Sequence, residues 1–413
     1  MEVKSITIGG FRNLERTKIE VKAITALVSL NNYGKTNFLK GIEFAVAFIT
    51  KGEFEREKMM GLIHSIPLNP SLSNEPFVFE IEFHEPKLKE YQFIRYGFSF
   101  KWKRNGDSGQ RLVDEWLDLR ESESTKYTSY LKREELKYRK SKSTTAFRNI
   151  ILNEYQLALD NLSSIDDLDY LEVIKLIKRF SLSCMENSYQ ENNSVNSKMF
   201  YDLKKSDPNK FDLFREAILT IFDDIVDIDV VKTEFEPKSY KFYSSVVSDW
   251  KEQSVPFKLD NESYKIFLIN KNINQPIEFN MLSKGSRRLF SILATIFINS
   301  SANHLIVVEE LASNIHPSLI KRVLQIIYEN IGEGKLIFTT YNPYLIQYLK
   351  LENIYIGLPN NQGKATFKNI LKSKERTLIN SAKDNGLSVG EYLFDLMGNN
   401  SKTTFVLKSL MGI

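Results

Sequence analysis

Short runs of apolar residues dominate the first hundred positions of the chain. Their length and alternation predict five strands: Val3 to Ile8, Lys18 to Val21, Ile24 to Leu30, Phe77 to Phe83 and Tyr91 to Trp102. A helical period of apolar positions predicts a helix from Lys35 to about Ile49. The aromatic-rich alternation of the last two strands is typical of half-buried antiparallel pairs, so we expect them to extend the first sheet.

The pattern changes between about Glu121 and Asp229. Amphipathic helical stretches alternate there with polar segments rich in Ser and Asn, which predicts an inserted, mostly helical domain. Strand patterns return at Tyr240 to Val247 and at Tyr264 to Asn270, and a helix is predicted from about Lys284 to Asn299.

From His304 onwards, strands and helices alternate, which is the signature of an α/β fold. The predicted elements are the strand HLIVVEE, a helix from Pro317 to Asn330, a strand from Lys335 to Thr340, a helix from Pro343 to Lys350 and the strand NIYIGL. We therefore expect residues 1–118 and 235–370 to form two halves of one domain, interrupted by the insertion at 119–234 and followed by a helical element at 371–413.

Composition narrows the class of protein. The chain has 413 residues, and its 56 Lys and Arg against 52 Asp and Glu leave a net charge of only +4, so any nucleic-acid site must be local. Cys184 is the single cysteine, which excludes an internal disulfide and favours a reducing compartment, so we expect the cytosol. No run approaches the ~18 apolar residues of a membrane span, and the first residues lack an apolar secretory stretch.

The segment SLNNYGKT follows an apolar strand and opens a helix, the context that a P-loop requires. Backbone amides at such a helix start surround phosphate oxygens, while Lys35 reaches the β- and γ-phosphates and the Thr36 hydroxyl binds Mg²⁺. The usual pattern begins with Gly, and Ser29 takes that place here. A chance Gly-Lys-Thr at a helix start is the alternative interpretation.

A second anion site is predicted at Leu282 to Leu289, just before an apolar helix. Ser283, the flexible Gly285 and free amides at the helix start suit a γ-phosphate presented by another molecule. The alternative is an ordinary Ser cap with basic residues on a solvated face. The spacing of some twenty residues to the next motif favours the phosphate site.

That next motif is the strand HLIVVEE, which ends in two carboxylates. Glu309 can hold the Mg²⁺ shell, and Glu310 can orient and deprotonate an attacking water. Farther along, Tyr341 follows the strand KLIFTT. Tyr donates a hydrogen bond but does not take up a proton near neutral pH, which predicts slow or triggered turnover.

Taken in order, these four elements resemble the ABC-type ATPases of the RecF, SMC and OLD (overcoming lysogenization defect) group. The chain is most similar to the compact bacterial AAA-type ATP-binding proteins that serve as ATPase subunits in anti-phage systems. The resemblance covers roughly the first fifty residues and about Pro276 to Leu358. It implies a P-loop ABC-ATPase head, with a mixed sheet and an antiparallel β subdomain, that closes head-to-tail as a homodimer or larger homo-oligomer around ATP and Mg²⁺.

Carried over position by position, the resemblance also implies the site residues. Nucleotide contacts are expected from Arg12, Asn13, Asn31, Asn32, Tyr33, Gly34, Lys35, Thr36 and Asn37. Ser283 and Gly285 would face the partner's nucleotide, and Glu310 would be the catalytic carboxylate, with Lys35 and Tyr341 at the γ-phosphate. Ala312 to Asn314 would cross the dimer interface, and His316 would be structural at the start of a helix.

Three functions stay open at the level of sequence. The first is an ATPase sensor or scaffold of an anti-phage system that acts with a separate nuclease or toxin, because no acidic cluster of a Toprim nuclease follows Tyr341. The second is a RecF-like DNA-binding ATPase, supported by the basic run Lys132 to Ser143. The third is an ATP-dependent scaffold that never hydrolyses, which the departures at Ser29, Glu309 and Tyr341 favour. An SMC protein proper is disfavoured because long heptads are missing.

Overall fold

A computed structural model describes residues 1–104, 112–135, 137–139, 148–149, 152–164, 168–186, 197–234, 262–273, 275–300, 303–359, 362–398 and 401–413. Its strands are β1 (Glu2–Gly9), β2 (Thr17–Glu20), β3 (Ile24–Val28), β4 (Phe77–His84), β5 (Phe93–Phe100), β6 (Leu112–Arg120), β7 (Thr128–Glu134), β8 (Lys137–Arg139), β9 (Arg148–Asn149), β10 (Ser181–Met185), β11 (Ile225–Glu234), β12 (Glu262–Asn270), β13 (Ile277–Glu278), β14 (His304–Val308), β15 (Lys335–Thr340), β16 (Ile354–Pro359) and β17 (Ala365–Asn369).

The helices of the described residues are also numbered in chain order. They are α1 (Lys35–Thr50), α2 (Glu53–Met60), α3 (Ala158–Leu162), α4 (Leu171–Lys178), α5 (Ser197–Ser206), α6 (Pro208–Ile221), α7 (Lys284–Ile298), α8 (Pro317–Asn330), α9 (Pro343–Ile346), α10 (Glu375–Asp384), α11 (Val389–Gly398) and α12 (Ser401–Met411). Among them, none combines the length and apolar content that a bilayer-spanning helix requires.

The chain divides into two compact units. One comprises Met1–Tyr189 and Asn299–Ile413, and the other comprises Gln190–Ile298. These divisions, after Tyr189 and after Ile298, do not coincide with the domain limits predicted at residues 118, 234 and 370. The predicted limits therefore remain predictions.

The first unit contains two sheets. An antiparallel sheet has the order β2-β1-β4-β5-β6-β7-β8-β9, and a mixed sheet has the order β10-β14-β15-β3-β16-β17. In the mixed sheet the pairs from β10 to β16 are parallel, and β17 runs antiparallel to β16. The predicted α/β class with a mixed sheet and an antiparallel subdomain is therefore confirmed, and the mixed sheet is completed by distant parts of the chain, as expected.

The helix α1 is anchored by an aromatic core. Phe44 and Phe48 are buried and contact rings of the antiparallel sheet, including Phe77, Phe98 and Phe100, at centroid distances of 4.9–6.1 Å. Burial of a Phe side chain contributes on the order of 1.5–3 kcal/mol. This core fixes the helix whose first turn carries Lys35 and Thr36.

The second unit is smaller. It pairs β11 with β12 and β12 with β13 in an antiparallel sheet. The helices α5, α6 and α7 pack against one another through rings that include Phe200, Phe214 and Phe290. The helices α5 and α6 also contact β11.

Between Glu121 and Asp229 the described residues contain the predicted helices as α3 to α6, and they also contain strands, β7 to β10 and the start of β11, that the prediction of a mostly helical region did not include. Arg133 shows the reason in β7. Its side chain is 1% exposed, at a core-facing position where a charged residue hides the strand pattern, and it donates to the carbonyl oxygens of Glu135, Asn153 and Gln156. The predicted strand Tyr240 to Val247 lies outside the described residues.

Candidate functional site

The loop between β3 and α1 is shaped by Gly34. This residue has a φ of +90° and precedes the helix, whose first turn has no side-chain cap. A Cβ at Gly34 would lie 2.6 Å from the Cβ of Ala365 and 3.3 Å from Cδ2 of Leu14, so only glycine fits. Uncapped amides and the helix dipole make a helix start of this kind favourable for an anion.

Lys35 is held inside this loop. Its side chain is 6% exposed, and Nζ donates to the carbonyl oxygens of Ser29 at 2.6 Å and of Leu30 at 3.2 Å. Burial lowers the pKa of the ammonium, whereas the charges of Glu310 and Glu309 act in the opposite direction. The loop therefore presents a buried cation directly at the start of the helix.

The departure at Ser29 has a structural counterpart on the neighbouring strand. Ser29 is fully buried, and a Cβ built on Gly357 of β16 would lie 3.1 Å from the Ser29 Cβ. The same Cβ would lie 2.7 Å from the Phe367 ring. The absence of a side chain at Gly357 thus leaves the room that the Ser29 side chain occupies.

Thr36 and Glu309 lie together beside the loop. The Thr36 hydroxyl donates to Oε1 of Glu309 at 2.5 Å, joining the start of α1 to the end of β14. Both are hard oxygen ligands of the kind that Mg²⁺ prefers, and Mg²⁺ commonly takes one or two protein ligands plus phosphate oxygens. The described residues hold no group of three or more His, Cys, Asp or Glu placed to bind a metal ion.

Glu310 reaches toward the same loop. Its Oε1 lies 3.9 Å from Nζ of Lys35, and its side chain is 14% exposed. Its backbone has a φ of 52°, a left-handed conformation that is uncommon for a non-glycine residue. Lys35, Thr36, Glu309 and Glu310 are therefore brought together at one edge of the mixed sheet.

Arg12 and Asn13 flank the loop through side-chain hydrogen bonds. Arg12 Nη1 donates to Oδ1 of Asn37 at 2.9 Å, and its Nε donates to the carbonyl oxygen of His64 at 2.8 Å. Asn37 Nδ2 in turn donates to Oδ1 of Asn13 at 2.7 Å. Burial lowers the pKa of the Arg12 guanidinium.

The remaining predicted residues are more exposed. Asn31 and Asn32 are exposed at the tip of the loop, and Tyr33 is half-buried. Tyr341 follows β15 and is 52% exposed. His316 caps α8, accepting from the Ser318 amide at Nδ1, in the structural position expected for it.

Ser283 and Gly285 belong to the second unit, at the start of α7. Ser283 is exposed, and its hydroxyl oxygen accepts from the Ser286 amide at 3.1 Å. The Ser286 hydroxyl lies 2.8 Å from the same oxygen. The segment is thus a capped helix start with an exposed serine at its cap, whereas Gly285 and Ser286 are half-buried.

The basic run Lys132 to Ser143 does not present all its cations at a surface. Arg133 is buried, as described above, and Lys132 pairs with Glu134 at 2.6 Å. Residues 136 and 140–143 lie outside the described residues. Within the described part of the run, the structure does not support a continuous DNA-binding strip.

Comparison with known proteins identifies the family. The model of the family described as "AAA domain, putative AbiEii toxin, Type IV TA system" matches residues 24–347. The chain belongs to this AAA family. The resemblance predicted from the four motifs is confirmed at this level, and the AAA family match contains the loop, both carboxylates and Tyr341. A search of curated proteins finds no match.

Solved structures similar to this AAA protein include heads of SMC proteins. The SMC head domain from Thermotoga maritima has 14% identity and a TM-score of 0.43, covering 90% of this chain and 100% of that one. An SmcHead bound to the C-winged helix domain of ScpA has 10% identity and a TM-score of 0.47, covering 91% and 100%. A Pyrococcus furiosus Smc head with an extended coiled coil, bound to the C-terminal domain of ScpA, has 8% identity and a TM-score of 0.48, covering 92% and 99%.

Three residues that contact the candidate site were not predicted from the sequence. Thr339 accepts a hydrogen bond from the Glu310 amide, Gly357 faces Ser29, and Ala365 closes against Gly34. Each of them contacts a site residue that is distant in sequence and lies on a neighbouring strand or segment. Among these three, only Thr339 has a local indication in the sequence, namely the pair of threonines at the end of KLIFTT.

Proposed function

We propose that this protein binds ATP with Mg²⁺ and hydrolyses it. The observation that carries the proposal is the convergence of a buried lysine and two carboxylates on one helix start. Lys35 lies 3.9 Å from Glu310, and Thr36 lies 2.5 Å from Glu309. An ATPase needs a cation for the phosphates, ligands for the metal ion and a base for water in this arrangement.

Each residue would take one role. Lys35 would leave the carbonyl oxygens of its loop and bind the β- and γ-phosphates, while Thr36 and Glu309 would hold Mg²⁺, which neutralises phosphate charge when bound. Glu310 would accept a proton from the attacking water. Tyr341 would donate a hydrogen bond to the γ-phosphate.

We further propose that two copies close head-to-tail, so that Ser283 and Gly285 of one copy bind the triphosphate held by the other. The exposed helix start at Ser283 suits an anion brought by a second molecule. The family description names a putative toxin of a type IV toxin–antitoxin system. We further propose that the protein acts in the cytosol as the sensor or scaffold subunit of an anti-phage system, together with a separate nuclease or toxin.

Phosphate release from ATP tests the enzymatic part of the proposal. Glu310→Gln keeps the shape of the side chain and removes the base, so the rate is expected to fall on the order of 10²- to 10⁴-fold while ATP affinity stays the same. Equal and negligible rates in both proteins, with ATP still bound, would instead identify a scaffold that does not hydrolyse ATP.

A further inference from the structure

Glu310 combines a functional side chain with an unfavourable backbone. Its φ of 52° places it in the left-handed region, which costs on the order of 1–3 kcal/mol for a residue other than glycine. Such a conformation persists only where neighbouring groups fix it. The structure shows which groups do so.

Thr339 provides two of these groups. The Glu310 amide donates to the Thr339 hydroxyl oxygen at 2.8 Å, and the Leu311 amide donates to the Thr339 carbonyl oxygen at 3.0 Å. Thr339 is fully buried in β15, which pairs with β14 in the mixed sheet. A third bond, from the Ser313 amide to the Glu310 carbonyl oxygen at 2.9 Å, closes the turn on the other side.

We propose that Thr339 is a positioning residue for Glu310. Its hydroxyl fixes the left-handed backbone from which the carboxylate reaches within 3.9 Å of Lys35. Without that acceptor, the Glu310 amide loses its partner in a half-buried place, and the turn relaxes toward ordinary backbone angles. The carboxylate then moves away from the position that it needs to orient water. This inference rests on the proposed ATPase function.

Thr339→Val is the direct test, because valine keeps the branched shape and removes the hydroxyl. We expect kcat for ATP hydrolysis to fall on the order of 10- to 100-fold, as displacement of a catalytic group by about 1 Å does, with the affinity for ATP unchanged. Thr339→Ser keeps the hydroxyl and is expected to restore most of kcat. In the Glu310→Gln background, Thr339→Val should have little further effect, since the group that it positions is already gone.

Thr25→Val is the matched control. Thr25 is also fully buried in the mixed sheet, on β3, and its hydroxyl oxygen accepts from the Lys22 amide at 3.0 Å. Its loss should lower stability to a similar extent and leave kcat at the wild-type value. A Thr339→Val protein with wild-type kcat, or a Thr339→Ser protein as impaired as Thr339→Val, would overturn the proposal.

Amide hydrogen exchange separates this inference from the proposed function. Exchange of the Glu310 amide should be at least about tenfold faster in Thr339→Val than in the wild type or in Thr25→Val, because its hydrogen bond is lost. If the wild type does not hydrolyse ATP, the ATPase proposal fails, and this measurement still decides the role of Thr339. Unchanged exchange at Glu310 would show that Thr339 does not hold the turn.

Discussion

The loop between β3 and α1 and the segment Leu282 to Ser286 are both predicted to bind a triphosphate, yet they are built differently. The loop is enclosed by distant parts of its own unit. Lys35 is 6% exposed, and Gly34 packs against Ala365 and Leu14. By contrast, Ser283 is exposed, and its hydroxyl bonds within its own turn to Ser286.

This difference separates a site assembled by tertiary structure from a local helix start. The loop has its cation, carboxylates and backbone shape in place within one unit, so we expect a single chain to bind ATP there. Of the small residues at the start of α7, only Ser283 is exposed, so we expect tight binding there only when a second molecule supplies the rest of the ligand shell. Substitutions in the loop should therefore impair ATP binding itself, whereas substitutions at Ser283 should impair association.

The largest effect is expected from Lys35→Ala. Removal of this cation takes away charge-assisted bonds to the phosphates, each worth about 1.5–3 kcal/mol, and should weaken ATP binding on the order of 100-fold or more. Titration calorimetry with ATP and Mg²⁺ measures this. Lys51→Ala, at the opposite end of the same helix, removes an exposed lysine that pairs with Glu55 and should bind ATP like the wild type. Unchanged affinity in Lys35→Ala would remove the loop from the proposed site.

Ser283→Arg should give a smaller and different effect. The new side chain places bulk and charge where the partner's nucleotide is expected, so ATP-induced association should be lost and hydrolysis should fall on the order of tenfold or more. ATP affinity of the monomer should stay within about twofold, because the loop belongs to the other unit. Light scattering with and without ATP measures association in the Glu310→Gln background.

Ser206→Arg is the control for Ser283→Arg. Ser206 is an exposed residue at the end of α5 in the same unit, so the substitution adds the same bulk and charge elsewhere. It should associate like the parent protein. Association that survives Ser283→Arg would contradict the head-to-tail arrangement.

The same contrast explains what could be predicted from the sequence. The helix starting at Lys35, the strand before Glu309 and the helix starting at Lys284 follow from local patterns of apolar residues and glycine, and all three are found. The helix predicted from Pro343 to Lys350 ends at Ile346. After Ile346 the backbone forms turns in which an amide bonds to the carbonyl three residues earlier, as the Leu349 amide does to the Ile346 carbonyl oxygen.

Contacts between strands could not be predicted in this way. Thr339 meets Glu310 because β15 lies beside β14, and Gly357 meets Ser29 because β16 lies beside β3. The order of strands in a sheet is set by packing of the whole unit, and no single segment encodes it. For this reason the sequence alone shows Ser29 as a departure from the P-loop pattern and does not show that Gly357 leaves room for it.

The smallest effect is expected from substitutions at Ser29 and Gly357, which test how the loop packs against β16. Gly357→Ala should lower the free energy of unfolding by about 1–3 kcal/mol, because the new methyl group meets Phe367 at 2.7 Å and Ser29 at 3.1 Å. In the Ser29→Gly background the second contact is gone, so the same substitution should cost less by about 0.5–1 kcal/mol. Denaturant unfolding of the four proteins gives this coupling energy. A coupling of zero would mean that Gly357 makes room only for Phe367, and that the loop tolerates Ser29 for another reason.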